Sequence, residues 1–447
     1  MITIWLKVIN YFNRKRNINL VFLFWFMCIS ACQKPEPFQR ERTVEVRYID
    51  GKAQLFRHGA PFFIKGASGY EHMDRIAAYG GNSIRTWSLH DAQEILDEAH
   101  QYGLTVTLGL EIGRPYWGKD FNYWNIWKIN EQVEALRPVI EKYKDHPALL
   151  MWGVGNEVEL QGGGKRPLIY HAINRVAKMV KEIDPNHPVM TAVNPPTNPN
   201  RFASFSHVLT HVDILGYNAF DKLPNIYEEG KIYGKKGWGK AYILSEWGPP
   251  GHWESKDTDW GAPLELDNKS KTDRMREYWK MMHQDSLLFL GNYAFYWGHK
   301  QEITHTWFSM FSEEGFETES VNFLRTAWSG EAPGNWAPRI EQIAIQGQPE
   351  LENMVLFADS IYTATIFASD PEGDQLTFRW ELRPEEQSFY EKGAFSYNMK
   401  YLMETMDEAT LNFKAPQEEG DYRLFAFVFD GNGNVASHNI PFYVVPR

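Results

Sequence analysis

The chain is poor in cysteine and in positive charge. Its 447 residues contain two cysteines, Cys28 and Cys32, so residues 33–447 offer no disulfide, cysteine nucleophile or cysteine metal ligand. Lys and Arg number 46 against 57 Asp and Glu, which gives a net charge of −11. This acidic balance makes nucleic acid and anionic membrane surfaces poor partners. No pair of histidines has the spacing of a zinc-binding helix, and we expect neither a metal nor a cofactor.

A long hydrophobic run is also missing. The apolar run from Leu20 to Ile29 is too short to span a bilayer, and basic residues precede it, as in a secretory signal. The letters ISAC at 29–32 resemble the lipobox of bacterial lipoproteins. We therefore predict a signal peptide over 1–31, a lipid anchor on Cys32, a polar tether over 32–43 and a place in the cell envelope. A signal anchor or a plain cleavage site are the alternatives.

Short apolar runs alternate with helical periodicity over residues 44–330. A hairpin is predicted first, around Asp50-Gly51. Eight candidate strands follow, at 62–68, 82–87, 105–112, 148–157, 189–194, 213–218, 241–248 and 292–298. Eight strands separated by helices predict an α/β fold of the (β/α)8 TIM-barrel type. A doubly wound open sheet is the alternative, but it would want fewer strands and a glycine-rich phosphate turn, and QGGGKRP lacks the spacing of that turn.

The pattern changes after residue 330. The segment 328–339 is rich in Gly and Pro and predicts a domain boundary, with a linker over 331–339, while 340–447 alternate in the manner of a small all-β sandwich domain. The stretches DPEGDQLTFRW and VFDGNGNVAS resemble PKD-like, Ig-like or cadherin-like modules. Their acidic loops suit either tight turns, the favoured interpretation, or calcium. We expect the module to act as a spacer or a brace, with sugar binding as the alternative.

Polar side chains follow most of the predicted barrel strands. In a barrel of this type the active site lies at the carboxyl ends of the strands. The candidates there are Arg85, Trp87, His90, Glu111, Arg114, Asn156, Glu157, Asn194, Tyr217, Asn218, Glu246, Trp247, Trp297 and His299. Any one of them alone could be an ordinary loop residue. Two acids on strands four and seven, with an Arg among the polar groups around them, predict a catalytic site.

The segment HPALLMWGVGNEVEL resembles the catalytic barrel of glycoside hydrolase family 2, in clan A, as do PFFIKGAS, GGNSIRTW and YILSEWG. The likeness covers about residues 44–330. It implies that Glu157 is the acid/base and Glu246 the nucleophile of a retaining mechanism. Their closeness should raise the pKa of Glu157. The layout of a barrel followed by an Ig-like module is similar to that of bacterial endo-β-glucanases, including family 158.

The same resemblance assigns roles to the remaining candidates. Arg85 and Tyr217 would orient Glu246, and Asn156 would bind the sugar 2-hydroxyl. Trp297 would form the floor of the sugar site. Its expected walls and rim are Trp87, Trp117, Trp247, Trp307, Glu111 and Asn194.

The resulting hypothesis is a retaining hydrolase of β-linked glycans, with a β-glucan, of the β-1,3 type, as the favoured substrate. The partners are then a polysaccharide or oligosaccharide and, through Cys32, the membrane. Two alternatives stay open. A sugar hydroxyl could replace water as the acceptor, which would make a transglycosylase. An inactive barrel could serve as a surface glycan-binding lipoprotein.

Overall fold

The computed structural model describes residues 42–115, 121–160, 166–195, 207–224, 226, 238–349, 352–385 and 398–447. The predicted hairpin opens this part of the chain as the strands β1 (Val44–Ile49) and β2 (Lys52–Arg57), and β3 (Ala60–Phe62) extends it to three strands. Asp50 and Gly51 both have positive φ, 51° and 79°, which a tight two-residue hairpin turn requires. No helix among the described residues is long and apolar enough to cross a membrane.

The predicted barrel is confirmed. Its parallel strands form a closed ring in chain order, and the last strand pairs with the first. They are β4 (Ile64–Ser68), β5 (Ser83–Arg85), β6 (Thr105–Leu110), β7 (Leu149–Asn156), β8 (Val189–Val193), β9 (Ile214–Asn218), β10 (Tyr242–Trp247) and β11 (Phe289–Ala294). The eighth strand therefore lies earlier than the predicted 292–298.

Helices surround this ring. Those described are α1 (Met73–Ala78), α2 (Ala92–Gln101), α3 (Ile126–Tyr143), α4 (Arg166–Ile183), α5 (Asn268–Met282) and α6 (Glu319–Ser329), with a 3-10 turn at His252–Glu254. In α4, Ile169, Ile173, Val176 and Val180 are buried at the three- and four-residue spacing of one helix face. Such faces pack on the outside of the strands, while Val44 and Leu55 of the first sheet pack against the residues that fill the barrel's interior.

All-β structure follows α6. Its strands are β12 (Arg339–Ile345), β13 (Gln348–Pro349), β14 (Met354–Phe357), β15 (Ile361–Ser369), β16 (Thr377–Pro384), β17 (Met403–Glu404), β18 (Thr410–Lys414), β19 (Gly420–Phe429) and β20 (Val435–Val445), with a 3-10 turn at Lys400–Leu402. Five strands form one sheet in the order β13-β12-β15-β18-β17, and four form another in the order β14-β20-β19-β16. Both sheets contribute to one apolar core, which includes Ile343, Trp380, Phe413 and Phe442.

Polar contacts tie these sheets to the barrel. Asn439 of β20 donates to Glu265 (2.8 Å), Ser437 Oγ donates to Asn268 (2.7 Å) and Arg423 donates to the Pro263 carbonyl (2.8 Å). The side chains that meet here, those of Glu265, Asn268, Arg423, Ser437 and Asn439, are buried. A buried, hydrogen-bonded contact suits a brace better than a loosely attached spacer.

Candidate active site

A cavity of about 780 Å³ opens at the carboxyl ends of the barrel strands. Side chains from most of the strand ends and the following loops line it. They include Tyr70, Trp87, His90, Arg114, Asn156, Glu157, Asn194, Asn218, Phe220, Lys222, Glu246, His252, Trp253, Glu254, Phe295, Tyr296, Lys300 and Glu302. Both predicted catalytic glutamates therefore face one space.

The end of β7 aims two consecutive side chains into this cavity. Neighbouring residues of a regular strand point to opposite faces, so Asn156 and Glu157 would normally diverge. The register of β7 against β8 shifts between Gly153 and Asn156, and Gly155 and Glu157 have φ of 71° and 48°. This irregularity turns the chain and brings both side chains to the cavity.

Glu246, at the end of β10, is held by two donors. Arg85 Nη1 lies 2.8 Å and Trp87 Nε1 2.6 Å from the same oxygen, Oε1. Glu246 is 7% exposed and Arg85 2%. A buried guanidinium and an indole N–H fix one oxygen of the carboxylate, which suits a group that must be presented in one orientation.

A chain of amides joins the two sides of the cavity. Asn156 Oδ1 accepts from Arg85 Nη2 (2.6 Å) and from Asn218 Nδ2 (3.0 Å). Asn218 Oδ1 in turn accepts from Ser245 Oγ (2.8 Å). Because both donors approach the amide oxygen of Asn156, its NH₂ group is left to serve as a donor toward a bound molecule.

The second carboxyl group has a different environment from Glu246. Burial raises the pKa of Glu157, and the charges of Glu246 and Glu159 raise it further, to about 8, against a hydrogen bond from Asn218. Burial also raises the pKa of Glu159, to about 7, although the Asn194 N–H donates to its Oε1 at 3.0 Å. Glu157 is therefore protonated at neutral pH, as a general acid must be.

Aromatic rings form the walls around these groups. Trp87 stacks on Tyr296 with ring centroids 6.0 Å apart and meets Phe295 edge-on at 5.9 Å. Phe220 meets Trp253 edge-on at 5.5 Å. Flat apolar faces beside polar groups suit the C–H faces and hydroxyls of a sugar ring. Of these rings, only Trp87 is among the aromatic residues predicted from the sequence.

The prediction that Tyr217 orients Glu246 is corrected. Tyr217 is 5% exposed, belongs to the core between the strands and the helices, and packs against Tyr242 at 5.7 Å. Along β9 successive side chains alternate between the two faces, so Tyr217 points outward and Asn218 points to the cavity.

The predicted tryptophan floor is corrected as well. Trp297 is fully buried against Phe311 and Trp328, at 5.1 and 5.3 Å. β11 ends at Ala294, three residues before Trp297, so Phe295 and Tyr296 occupy the strand end instead. Trp247 is also fully buried and donates to Asn292 (2.9 Å), and Trp307 donates to the Pro250 carbonyl (3.1 Å) within the core beneath the cavity.

Some of the remaining predicted site residues line the cavity and others do not. Asn194, His90 and Arg114 line the cavity. Glu111 is exposed and is not among the lining residues, which corrects its predicted place in the site, and His299 lies beside His305 at 6.1 Å instead. Trp117 and Cys32 lie outside the described residues.

Three carboxylates come together in the acidic turns of the C-terminal sheets. Ligand atoms of Asp370, Asp374 and Asp430 lie within 4.8 Å of one another. Asp374 accepts from Asn335 (2.6 Å) and Asn432 (2.7 Å), and Asp430 accepts from Asn434 (2.7 Å). Side-chain amides thus use oxygens of Asp374 and Asp430, while Asp370 Oδ1 accepts the backbone N–H groups of Glu372 and Asp374.

The cavity as a whole combines a protonated carboxyl group, an oriented carboxylate, a fixed amide donor and aromatic walls. Two carboxyl groups of unlike environment across one cleft are what acid-assisted displacement at an acetal carbon requires. Glycosidic bonds are such acetals.

Known proteins resemble the chain in parts. Residues 73–221 match the family described as "Domain of unknown function (DUF4434)". Human Beta-glucuronidase is 23% identical over 240 residues, which cover 46% of this chain and 33% of that protein. "Probable mannan endo-1,4-beta-mannosidase F" of Neosartorya fischeri is 30% identical over 192 residues, 32% of this chain and 42% of that protein.

Among solved structures, a calcium binding mutant of Bacteroides uniformis beta-glucuronidase 2 matches with a TM-score of 0.50 and 14% identity, over 90% of this chain and 48% of that chain. This likeness supports the fold. The chain spans less than half the length of the curated relatives described here, whose names are those of β-glycosidases.

Proposed function

We propose that this protein is a retaining β-glycosidase acting on a polysaccharide or oligosaccharide. One observation supports it above the others: two glutamates line one cavity, and burial and charge raise the pKa of Glu157 to about 8 while two donors orient Glu246. One carboxyl group can then donate a proton while the other attacks.

The first step breaks the bond between the anomeric carbon and the leaving oxygen. Glu246 attacks that carbon as a carboxylate, and the proton of Glu157 passes to the departing oxygen. The sugar is then an ester of Glu246. In the second step Glu157, now ionised, takes a proton from water, and the water oxygen displaces Glu246 with overall retention. The NH₂ of Asn156, which has no hydrogen-bond partner among the described residues, would donate to a hydroxyl of the same sugar.

Paired variants test these roles. Aryl β-glycosides of glucose, mannose and glucuronic acid serve as substrates. Glu246→Gln should abolish turnover of all of them. Glu157→Gln should spare the first step for dinitrophenyl leaving groups, which need no acid, and added azide should yield β-glycosyl azide. Formation of the α-azide, or full activity of Glu246→Gln, would contradict the proposal.

The identity of the polysaccharide substrate is a separate part of the proposal. The sequence resemblance favours a β-glucan of the β-1,3 type, and the relatives' names add β-glucuronides and mannans as candidates. A panel of laminarin, mannan and glucuronate-containing polysaccharides, with released reducing sugar as the readout, separates them. Products longer than a defined oligosaccharide would indicate transglycosylation. Binding without release of sugar from any of them would favour a glycan-binding protein.

Anchoring by a lipid on Cys32 completes the proposal, together with the signal peptide over 1–31. The basic flank and short apolar run of the N-terminal sequence support it. Wild-type protein should partition into the detergent phase of Triton X-114, and Cys32→Ala should move to the aqueous phase. Equal partitioning of both would contradict the anchor.

A further inference from the structure

Most charges that line the cavity are compensated within the protein. Lys300 pairs with Glu302 at 2.6 Å, and Glu246 pairs with Arg85 at 2.8 Å. Glu254 accepts the backbone N–H groups of Asp221 and Gly251, both at 3.0 Å. These groups have their partners before any substrate arrives.

Two cations of the same cavity differ from this pattern. Lys222 and Arg114 are half-buried. Among the described residues, Lys222 Nζ has one side-chain partner, the neutral amide oxygen of Asn194 at 3.3 Å. The guanidinium of Arg114 has no hydrogen bond or ion pair within the described ranges. Among the described residues, both cations therefore face the cavity without a carboxylate bonded to them, and they are available to a bound anion.

Both cations lie on the side of Glu157. The charge of Arg114 acts on the carboxyl groups of Glu157 and Glu159. Asn194, the partner of Lys222, donates its backbone N–H to Glu159. The raised pKa values of these two glutamates, about 8 and about 7, keep them from neutralising the cations below neutral pH. This side of the cavity is therefore positive in a chain whose net charge is −11.

The general acid protonates the leaving oxygen, so its side of the cavity receives the leaving part of the substrate. We propose that the leaving part carries an anionic group, a carboxylate or a sulfate, which Arg114 and Lys222 bind. This inference rests on the proposed function and deepens it. A guanidinium binds either anion through two parallel N–H bonds, and an ammonium adds a point charge. It places acidic glycans ahead of a neutral β-glucan as substrates.

A pair of synthetic substrates isolates this contact from the identity of the sugar. The 2-nitrophenyl and 4-carboxy-2-nitrophenyl β-glycosides of glucose, mannose and glucuronic acid differ in the leaving group alone, by its added carboxylate and by the acidity of its phenol. The readout is the ratio of kcat/KM for the charged over the uncharged member. We expect wild type to favour the charged member by at least about tenfold. A 4-sulfo-2-nitrophenyl series tells sulfate from carboxylate.

The variants Lys222→Met and Arg114→Gln should each lower that ratio severalfold, and their combination should bring it close to the value set by leaving-group acidity alone. Lys300→Met is the matched control, because it removes a cation that already has a partner, and it should leave the ratio unchanged. A wild-type ratio that neither variant alters would overturn the anion site while leaving the glycosidase intact. Failure to hydrolyse any member would instead overturn the proposed function, and the anion site with it.

Discussion

Buried glutamates have opposite pKa shifts in two parts of the molecule. One part is the cavity, and the other is the junction where the barrel meets the C-terminal sheets. At the junction, burial alone would raise the pKa of Glu265, but the ammonium of Lys271, 2.5 Å away, and the Thr304 hydroxyl hold it at about 2. Asn439 donates to the same carboxylate. In the cavity, burial and like charge raise the pKa of Glu157 to about 8.

The difference lies in the partners, since both side chains are withdrawn from water. At the junction each oxygen of Glu265 has a donor, so the ionised form is stabilised and nothing remains to react. In the cavity, Glu157 faces another carboxylate and keeps its proton. Complete pairing thus marks a structural contact, and unfavourable pairing marks a reactive one.

The largest expected effect comes from removing the carboxylate of the cavity that attacks the substrate. Glu246→Gln should lower kcat on the order of 10⁵-fold, because no carboxylate remains to attack. Its effect on unfolding should be smaller than that of a change at Glu265, since Arg85 retains Asn156 and the Ser245 carbonyl as acceptors. Kinetics and thermal unfolding of one preparation check both. A large loss of stability with retained turnover would reverse the two assignments.

The next largest effect comes from removing the carboxylate at the junction between the barrel and the C-terminal sheets. Glu265→Gln should lower the free energy of unfolding by about 3–5 kcal/mol, because the buried ammonium of Lys271 loses its anionic partner and keeps only neutral acceptors such as the Thr306 carbonyl. Since the folded pKa is depressed, this stabilisation is present above the ordinary pKa of a glutamate and is lost as the pH falls toward about 2. Denaturant unfolding measures it. The double variant Glu265→Gln, Lys271→Met should recover part of the loss.

A smaller effect sharpens the comparison within the cavity. Activity should fall as the pH rises through about 8, where Glu157 loses its proton. Glu159→Gln removes one negative charge that sustains this value, so the alkaline limb should move to lower pH and kcat/KM at pH 8 should fall roughly twofold to fivefold. Glu254→Gln is the control, because the largest influences on the pKa of Glu157 are burial, Glu246 and Glu159 and do not include Glu254. If the alkaline limb of the pH–activity profile lies at the same pH in Glu159→Gln as in wild type, Glu159 does not help to set the pKa of Glu157.

The smallest effect tests a corrected residue. Tyr217→Phe should change kcat/KM by less than about twofold, because the ring packs outside the strands. A loss of tenfold or more would restore Tyr217 to the site. Trp87→Phe provides the contrast, since it removes a 2.6 Å hydrogen bond to Glu246, and it should cost roughly tenfold.

Regular structure was accessible from the sequence because it follows repeating patterns. The eight strands were predicted from their apolar runs, and Glu157 and Glu246 from their places at strand ends. It was harder to predict which face of the sheet each side chain occupies. Tyr217 and Asn218 both end β9, and alternation alone decides which of them reaches the cavity. The eighth strand was predicted to start three residues later than β11 does, and Trp297 was therefore wrongly expected at the strand end.

The loops account for most of the rest. Trp253 lies in a single 3-10 turn and Lys300 in an irregular segment, and neither is long enough for a period to relate a residue's position to the direction of its side chain. Glu159 had a weak signal, as a second acid two residues after Glu157. Its burial depends on contacts with Asn194, which belongs to the next strand end, and sequence spacing does not reveal such a contact.

One backbone angle at the acid has an evolutionary consequence. A left-handed φ of 48° suits glycine or asparagine, and other residues hold it at a disadvantage of roughly 1–2 kcal/mol. A library randomised at position 157 and selected for heat resistance alone should therefore accumulate glycine or asparagine and lose turnover. Sustained demand for the reaction would then be what keeps a glutamate at this position.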